Sequence, residues 1–401
     1  MESRIFEGLK VIDCATFIAA PAAATVLSDF GAEVIKIEQP GAGDPYRALP
    51  AMPGYPASPH NYVWLLDSRN KKSLALDLSK PEGQAVIHRL AAEADVFITN
   101  YPPEVRARLG VTHEKLAPLN ERLIYASFTG YGETGEEANK PGFDSNAWWG
   151  RSGMMDLVRP DMNGPPARSL PGMGDHASAM SLFGGIVTAL YRRERTGKGG
   201  KVTTSLMANG VWSNGCFVQA RLCGAKVPPR PPREDAVNAL TNHYRCRDGR
   251  WLILSLLNEG RQWPVFSQCI GRGELINDPR FADKKSRHAN ARTLVEIFDE
   301  AFLEKDLAEW RKILDAANLV FGVVAIVDDM PDDKQLRVSE VLVPFENDTM
   351  LTVNSPVWVE GGAKVTPRRA PEIGEHTDEV LRAAGYKPAE IEQLKARGVV
   401  A

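Results

Sequence analysis

Residues 9–38 read LKVIDCATFIAAPAAATVLSDFGAEVIKIE, and this stretch decides the fold. Leu9–Asp13 has the short apolar pattern of a buried strand, and Glu33–Glu38 predicts a second one. Between them, Pro21–Phe30 is rich in small residues and predicts a helix. Because strand and helix alternate, we expect a parallel sheet whose strands are joined by crossover helices.

The same alternation continues beyond this first unit. Further strands are predicted at Ser73–Leu78, Asp95–Thr99 and Arg122–Ser127. Between the first two, Glu82–Ala94 predicts a helix that follows Ser79 as its N-cap. The pattern is typical of an α/β fold of the nucleotide-binding kind. The G-x-G-x-x-G fingerprint of NAD-binding proteins does not follow the first strand, however, so we expect no NAD.

Length and composition limit the class of protein. With 401 residues the chain exceeds what one core usually serves, so we expect two domains. Hydrophobic residues make up 43% and charged residues 25%, as in ordinary globular proteins. A net charge of -3 gives no reason to expect nucleic acid or a membrane as partner. The first residues lack a signal-peptide profile, which predicts a cytoplasmic location.

Cysteine and histidine usage bears on metals and on redox state. The five cysteines form no C-x-x-C pair, which predicts free thiols in a reducing compartment. The seven histidines are scattered and form no H-E-x-x-H motif. We therefore expect no metal site.

A proline-rich connector divides the chain. Residues 226–233, KVPPRPPR, are stiff and extended in character, and the composition changes after them. We predict a large domain over residues 1–225, a linker over 226–235 and a small domain over 236–330. Within the small domain, Tyr244–Ser255 predicts a hairpin with Asp248-Gly249 at its turn.

The stretch Pro171–Met180, PGMGDHASAM, is a glycine-rich turn that opens onto a helical pattern at His176–Arg195. Asp175 stands at that opening and has two interpretations. It can be the N-cap of the helix, which is the commoner role of such a residue. It can also be a nucleophile, since the helix N-terminus keeps a carboxylate ionised and glycine lets a substrate approach. The local sequence leaves both open.

Residues 171–203, together with Phe17–Pro21 and Gly31–Glu38, resemble family III CoA-transferases. The resemblance implies that Asp175 is the nucleophile. It also implies a Rossmann-like large domain with a parallel sheet, a smaller α+β domain, and a segment over residues 331–401 that returns to the large domain. Two chains of that family interlock as rings, so a homodimer is expected.

The resemblance also implies a set of CoA contacts. By position in the sequence, the residues that would contact CoA are Ile18, Ala19, Gln39, Leu76, Ser79, Asn100, Tyr101, Arg108, Phe128, Thr129, Gly130 and Tyr131. The acyl pocket would include Trp148, Trp149 and His176.

Two positions depart from the family pattern. Gln39 and Thr129 stand where some members of the family have an Arg and a Lys, which removes two phosphate-binding cations. Arg69, Lys71 or Lys72 would have to replace those cations.

The implied reaction moves CoA from an acyl-CoA thioester to a carboxylic acid. It would pass through an aspartyl anhydride and an aspartyl-CoA thioester, with acyl-CoA as substrate. Alpha-methylacyl-CoA racemases share the fold but have a histidine base where this chain has Phe143, so racemisation is the less favoured alternative. A CoA-binding protein without turnover, with Asp175 only a helix cap, is the other alternative.

Overall fold

The computed structural model describes residues 4–401, and the large parallel sheet dominates it. The β-strands are β1 (Lys10–Asp13), β2 (Glu33–Glu38), β3 (Lys72–Ala75), β4 (Val96–Thr99), β5 (Ile124–Thr129), β6 (Gly200–Ser205), β7 (His243–Arg245), β8 (Trp251–Leu254), β9 (Phe321–Val324), β10 (Leu342–Pro344) and β11 (Leu351–Val353). The first six form one parallel sheet in the order β3-β2-β1-β4-β5-β6. This is the strand order of a doubly wound Rossmann-type sheet, so the predicted α/β class is confirmed.

The α-helices cover most of the predicted helical patterns. They are α1 (Ala19–Asp29), α2 (Tyr62–Ser68), α3 (Pro81–Glu93), α4 (Pro103–Leu109), α5 (His113–Leu116), α6 (Met154–Leu157), α7 (Met173–Thr196), α8 (Leu206–Ser213), α9 (Gly215–Leu222), α10 (Glu259–Cys269), α11 (Lys284–Ala289), α12 (Ala291–Phe302), α13 (Leu307–Ala316), α14 (Lys334–Val338), α15 (Thr377–Ala383) and α16 (Pro388–Ala396). A π-helical turn covers Asp144–Gly150. A 3₁₀ helix covers Pro45–Ala51.

One predicted helix cap is wrong. Helix α3 is preceded by Lys80 as N-cap, and no side chain there caps the helix. Ser79 instead donates its hydroxyl to Asp77 Oδ1 at 2.6 Å. The same Asp77 oxygen also accepts the backbone N–H of Ser79 at 3.0 Å, which forms a turn over Asp77–Ser79. The Ser79 side chain therefore bonds to Asp77 and not to the helix.

The chain divides into two compact units. The large unit comprises Met1–Met154, Arg168–Gly224 and Lys334–Ala401, and the second unit comprises Met155–Ala167 and Ala225–Asp333. The second unit thus takes in a short stretch that the predicted large domain of residues 1–225 had included.

One hydrophobic core of the large unit includes the end of the chain. Leu74 and Phe97 of the sheet, Ile87 of α3 and Leu381 of α15 are all fully buried in it. Leu76 pairs with Val400 in an isolated antiparallel bridge. The C-terminal residues are therefore part of the same core as the parallel strands.

The second unit has its own sheet and core. Strands β7, β8 and β9 form a three-stranded antiparallel sheet. The predicted hairpin at Tyr244–Ser255 is confirmed, with Gly249 at φ 81° in its turn. Phe298 of α12 and Trp310 of α13 are completely buried against this sheet. Such burial of aromatic side chains is the main apolar contribution of this unit.

Candidate active site

The site lies at the carboxyl edge of the parallel sheet, where the strand order reverses between β1 and β4. In sheets of this topology the crevice outside that point is the general ligand site. The loop after β1 and Asn100 after β4 meet there. The Asn100 side chain accepts from the backbone N–H of Thr16 at 2.9 Å and donates to the Thr16 carbonyl at 2.7 Å. The predicted CoA contact Asn100 therefore fixes the loop that forms one wall of the site.

A buried ion cluster supports the same loop from below. Its members are Asp13, Lys36, Asp44 and Lys71. Lys36 Nζ lies 2.8 Å from Asp44 Oδ2 and bonds to the Ala15 carbonyl. Asp44 Oδ1 accepts from the backbone N–H of Phe17 at 3.1 Å. Phe17 has φ 62°, a left-handed conformation that is costly for a bulky residue and needs such support.

Helix α7 brings Asp175 to the site. Its N-cap is Gly172, at φ 79°, and among the described residues no side chain caps this helix. Asp175 is the third residue of the helix, inside its first turn, so the interpretation of Asp175 as the N-cap is wrong. A Cβ on Gly174 would lie 2.7 Å from the Trp148 ring, so glycine is required for this close packing.

The Asp175 carboxylate has an unusual environment. It is half-buried, and no residue within 4–401 is seen to form a hydrogen bond or ion pair with it. Burial raises the pKa of Asp175 to about 7, assisted by the negative charge of Asp144, whereas the charge of His176 acts in the opposite direction. Burial and the neighbouring carboxylates thus oppose the ionisation that the helix N-terminus favours.

Asp144, a neighbour that the sequence did not single out, begins the π-helical turn. It is buried, and its Oδ2 accepts from the backbone N–H of Gly174 at 3.3 Å. Burial raises the pKa of Asp144 although backbone N–H groups hydrogen-bond to it. Asp144 thus joins the π-helical turn to the first turn of α7 and places a second carboxylate beside Asp175.

His176 is held by another carboxylate, that of Asp67, which lies far away in the sequence. Its Nε2 lies 3.0 Å from Oδ1 of Asp67, a residue 109 positions away on α2. Its Nδ1 lies 3.1 Å from the Gly172 carbonyl. Tyr46 donates its hydroxyl to Asp67 Oδ2 at 2.7 Å. His176, predicted as an acyl-pocket residue, is therefore held by hydrogen bonds on both ring nitrogens and does not line the cavity described next.

A cavity of about 320 Å³ opens at Asp175. Seven of the predicted site residues line it: Ile18, Ala19, Asn100, Phe128, Thr129, Gly130 and Asp175. The sequence did not predict its apolar walls, which come from Phe17, Leu49, Met52, Tyr55, Phe143 and Leu206. Phe17 and Phe143 meet edge to face with ring centroids 5.6 Å apart. For Leu49, Met52 and Tyr55, the signal that could have found them is the largely apolar stretch after Asp44, which follows β2 at the same sheet edge.

The remaining predicted contacts lie elsewhere. Trp148 and Trp149 are buried and stack on each other, with centroids 5.8 Å apart, beneath the start of α7. Leu76 is buried in the core, and Tyr101 packs against that core. Tyr131 lies under the Lys140 ammonium, 4.9 Å from the ring centroid. Gln39, Ser79 and Arg108 are exposed and do not line the cavity.

The three residues expected to replace the missing phosphate-binding cations, Arg69, Lys71 and Lys72, are all paired with carboxylates of the protein. Arg69 forms two hydrogen bonds to Asp29, at 2.9 and 2.7 Å, in a buried pair. Lys71 Nζ bonds to Asp13 Oδ2 at 2.8 Å within the ion cluster. Lys72 pairs with Glu33 and Glu379 at the surface. Arg69 and Lys71 cannot replace the missing phosphate cations without breaking buried ion pairs.

The described residues hold neither a metal-binding cluster nor a membrane-spanning helix. Within residues 4–401, no three His, Cys, Asp or Glu side chains come together as a metal-binding group. None of the helices placed in that range is long and apolar enough to cross a membrane. All five cysteines are free thiols.

Comparison with known proteins agrees with the geometry. The model of CoA-transferase family III matches residues 6–377. The chain is 35% identical to (R)-2-hydroxy-4-methylpentanoate CoA-transferase of Clostridioides difficile, over 99% of each chain. It is 33% identical to cinnamoyl-CoA:phenyllactate CoA-transferase of Clostridium sporogenes, over 98% of this chain and 96% of that one. A CaiB/BaiF family protein of Brucella suis superimposes with a TM-score of 0.85 at 27% identity, covering 96% of this chain and 100% of that one. The chain belongs to CoA-transferase family III.

Proposed function

We propose that this protein transfers CoA from an acyl-CoA thioester to a carboxylic acid, with Asp175 as the covalent nucleophile. The observation that carries the proposal is a carboxylate in the first turn of α7 that faces the cavity and has no partner among the described residues. A carboxylate that served only to stabilise the fold would be paired or would cap the helix. A nucleophile has to be left free.

The proposed reaction has four substitutions at carbonyl carbons. The Asp175 carboxylate attacks the acyl carbon of the donor, the C–S bond breaks, and CoA leaves as thiolate from an aspartyl–acyl anhydride. The thiolate then attacks the Asp175 carbonyl and releases the donor acid as a carboxylate. The acceptor carboxylate attacks the resulting aspartyl-CoA thioester and expels the thiolate again. The thiolate finally attacks the acceptor's acyl carbon and restores Asp175.

Each of these steps passes through an oxyanion, which needs hydrogen-bond donors. We assign that role to the first turn of α1, whose residues Ile18 and Ala19 line the cavity. In the described chain no side chain caps α1. Pro21 has no N–H group and the N–H of Ala22 donates to the Ile18 carbonyl at 2.7 Å, so the N–H groups of Ala19 and Ala20 are the ones we assign to a bound oxyanion.

The walls of the cavity support a bulky apolar acyl group. Phe17, Leu49, Met52, Tyr55 and Phe143 surround the space in front of Asp175. The two relatives named above act on a branched aliphatic and an aromatic hydroxy acid, as their names say. We therefore infer that the donor and acceptor acids carry branched or aromatic side chains.

We further propose that the protein is a cytoplasmic homodimer of interlocked chains and that the large unit binds CoA. The predicted CoA contacts outside the cavity, such as Arg108 and Gln39, would meet the nucleotide part of CoA beyond it. Sedimentation at several protein concentrations tests the dimer, since a stable monomer would contradict the interlocked arrangement.

A racemase is the second candidate because the raised pKa of Asp175 also suits proton transfer. A racemase needs an acid and a base on opposite faces of the alpha carbon, and Phe143 occupies the position of the family's histidine base. Deuterium exchange from solvent into the alpha position of a branched acyl-CoA, without CoA transfer, would support this alternative.

The decisive experiment is mass spectrometry of the protein after incubation with a panel of branched, aromatic and short acyl-CoAs. Hydroxylamine or borohydride traps the aspartyl intermediate. We expect a modified Asp175 peptide that is absent from Asp175→Asn and present in the matched control Asp328→Asn, which alters an exposed carboxylate. Tight CoA binding with no adduct for any thioester would overturn the proposal and leave a passive binder or the racemase.

A further inference from the structure

His176 follows the proposed nucleophile directly, and both of its ring nitrogens are hydrogen-bonded. Nδ1 lies 3.1 Å from the Gly172 carbonyl oxygen, and Nε2 lies 3.0 and 3.3 Å from the two oxygens of Asp67. The first contact closes onto the N-cap of the same helix. The second reaches across to α2. The orientation of the ring is therefore fixed from two sides.

These partners determine the charge of the ring. The Gly172 carbonyl can only accept a hydrogen bond, and the Asp67 carboxylate already accepts the Tyr46 hydroxyl at 2.7 Å. Two acceptors require two N–H donors, and an imidazole carries two only when it is protonated. Burial lowers the pKa of His176, but the hydrogen bond and the charge of Asp67 offset this, so the pKa is raised overall. Geometry and electrostatics both indicate an imidazolium.

The charges around Asp175 explain what this cation does there. Asp144 in the π-helical turn and Asp67 on α2 both disfavour a further negative charge at Asp175. The phenols of Tyr46 and Tyr55 are neutral at about pH 7, since burial raises the pKa of both. Among the charged groups that act on Asp175, His176 is the one that favours its ionised form.

We propose that His176 is a positioning residue: held as an imidazolium between Asp67 and Gly172, it favours the ionised form of the neighbouring Asp175, which is the form that attacks a thioester. This proposal rests on the proposed function of Asp175. It differs from a substrate contact, because both N–H groups are already used by the protein. It also gives Asp67, buried and remote in sequence, a defined part in the reaction.

The charge of the ring can be measured without any turnover. The protein has seven histidines, so their ¹⁵N side-chain resonances are tractable, and His176→Gln identifies the one in question. We expect both nitrogens of His176 to be protonated at about pH 7 and the ring to titrate above the ordinary value of about 6.5. In Asp67→Asn the titration should move down by about one pH unit or more. A neutral His176 ring at about pH 7 in the unmodified protein would overturn the proposal.

The effect on Asp175 is measured by the rate of covalent adduct formation against pH. Without the imidazolium, ionisation of Asp175 should move up by about one pH unit in His176→Gln. The rate should then be about fivefold lower at about pH 7 and nearly equal to that of the unmodified protein at about pH 9. A role confined to packing would lower the rate by the same factor at every pH, and that result would contradict the proposal.

His288→Gln is the matched control, since His288 also pairs with a buried carboxylate, Glu259, at 2.9 Å in the second unit. Its pH profile should match that of the unmodified protein. The experiment can contradict the proposed function of Asp175 and the proposed role of His176 separately. If no Asp175 adduct forms at any pH, the proposed function fails; if the adduct forms but its pH profile is the same in His176→Gln, the role of His176 fails.

Discussion

Two groups of charged side chains lie in the large unit, and they differ in how their charges are paired. In the ion cluster beneath the loop after β1, carboxylates alternate with ammonium groups. Lys36 contacts Asp44 at 2.8 Å, and Lys71 contacts Asp13 at 2.8 Å. The two lysines and two aspartates balance, and all four side chains are buried. Such a cluster fixes geometry, because moving any member would leave a buried charge unpaired.

The second group has three carboxylates and one imidazole. Asp67 is paired with His176, and Asp144 accepts a backbone N–H, but no partner for Asp175 is found among residues 4–401. Burial is the larger cause of the raised pKa of Asp175, and the excess of negative charge in this group raises that pKa further. The comparison teaches that the paired charges fix the loop after β1, whereas the unpaired charge is left free to react with substrate.

The sharpest test of this contrast is removal of the unpaired charge. Asp175→Asn deletes the nucleophile but keeps the shape, so we expect CoA transfer to fall by about 10⁴-fold or more. Isotope exchange between a labelled acid and an acyl-CoA measures it. The control Asp328→Asn should exchange at the rate of the unmodified protein. Activity within tenfold of that rate would show that Asp175 is not the nucleophile.

Although Asp175→Asn should abolish most of the activity, it should increase the stability of the fold at high pH. Because the folded-state pKa of Asp175 is raised to about 7, its ionisation destabilises the fold as the pH rises through that value. Asp175→Asn should therefore be more stable than the unmodified protein above about pH 7, and the difference should vanish below about pH 4, where the carboxyl is protonated in both states. Urea unfolding at several pH values measures this, and an equal difference at all pH values would contradict it.

Breaking the paired cluster should cost stability. Lys36→Met leaves Asp13 and Asp44 without their shared cation, for which we expect a loss of about 3–5 kcal/mol in the free energy of unfolding. Lys72→Met is the control, since Lys72 forms only surface pairs with Glu33 and Glu379 and should cost about 0–1 kcal/mol. Similar losses for the two variants would show that the buried cluster is not what supports the loop.

A smaller effect is expected from the neighbouring carboxylate. Asp144→Asn removes the negative charge that, after burial, contributes most to raising the pKa of Asp175. Adduct formation should then reach its half-maximal rate at a pH about one unit lower. The full profile has to be measured, since a loss of packing at Gly174 would lower the plateau without moving the midpoint. An unmoved midpoint would mean that the two carboxylates do not interact.

The last test concerns the apolar wall. Phe143→Ala removes a ring that contacts Phe17 at the cavity, and Phe143 is 55% exposed. We expect kcat/KM for an aromatic or branched acyl-CoA to fall by about 10–100-fold while that for acetyl-CoA changes little. Equal losses for both substrates would argue against a role of Phe143 in acyl selection.

Much of the fold and one part of the site could be predicted from local sequence. Strand β2 was predicted residue for residue, because its apolar pattern is strong and continuous. The end of β3 was overestimated, since Leu76 leaves the parallel sheet to pair with Val400. A contact with the last residues of the chain leaves no trace in a local pattern.

The sequence by itself determined that the chain is a parallel α/β protein with Asp175 at the opening of a helix, because short periodic segments and a glycine-rich turn are local properties. The CoA-transferase type was indicated by the resemblance of its motifs to that family. Only the tertiary structure decided that Gly172 is the cap, that Trp148 and Trp149 pack beneath α7, and that Asp67 reaches His176. The charge at the site arises from groups brought together across 109 residues, and burial and charge act through space, not along the chain.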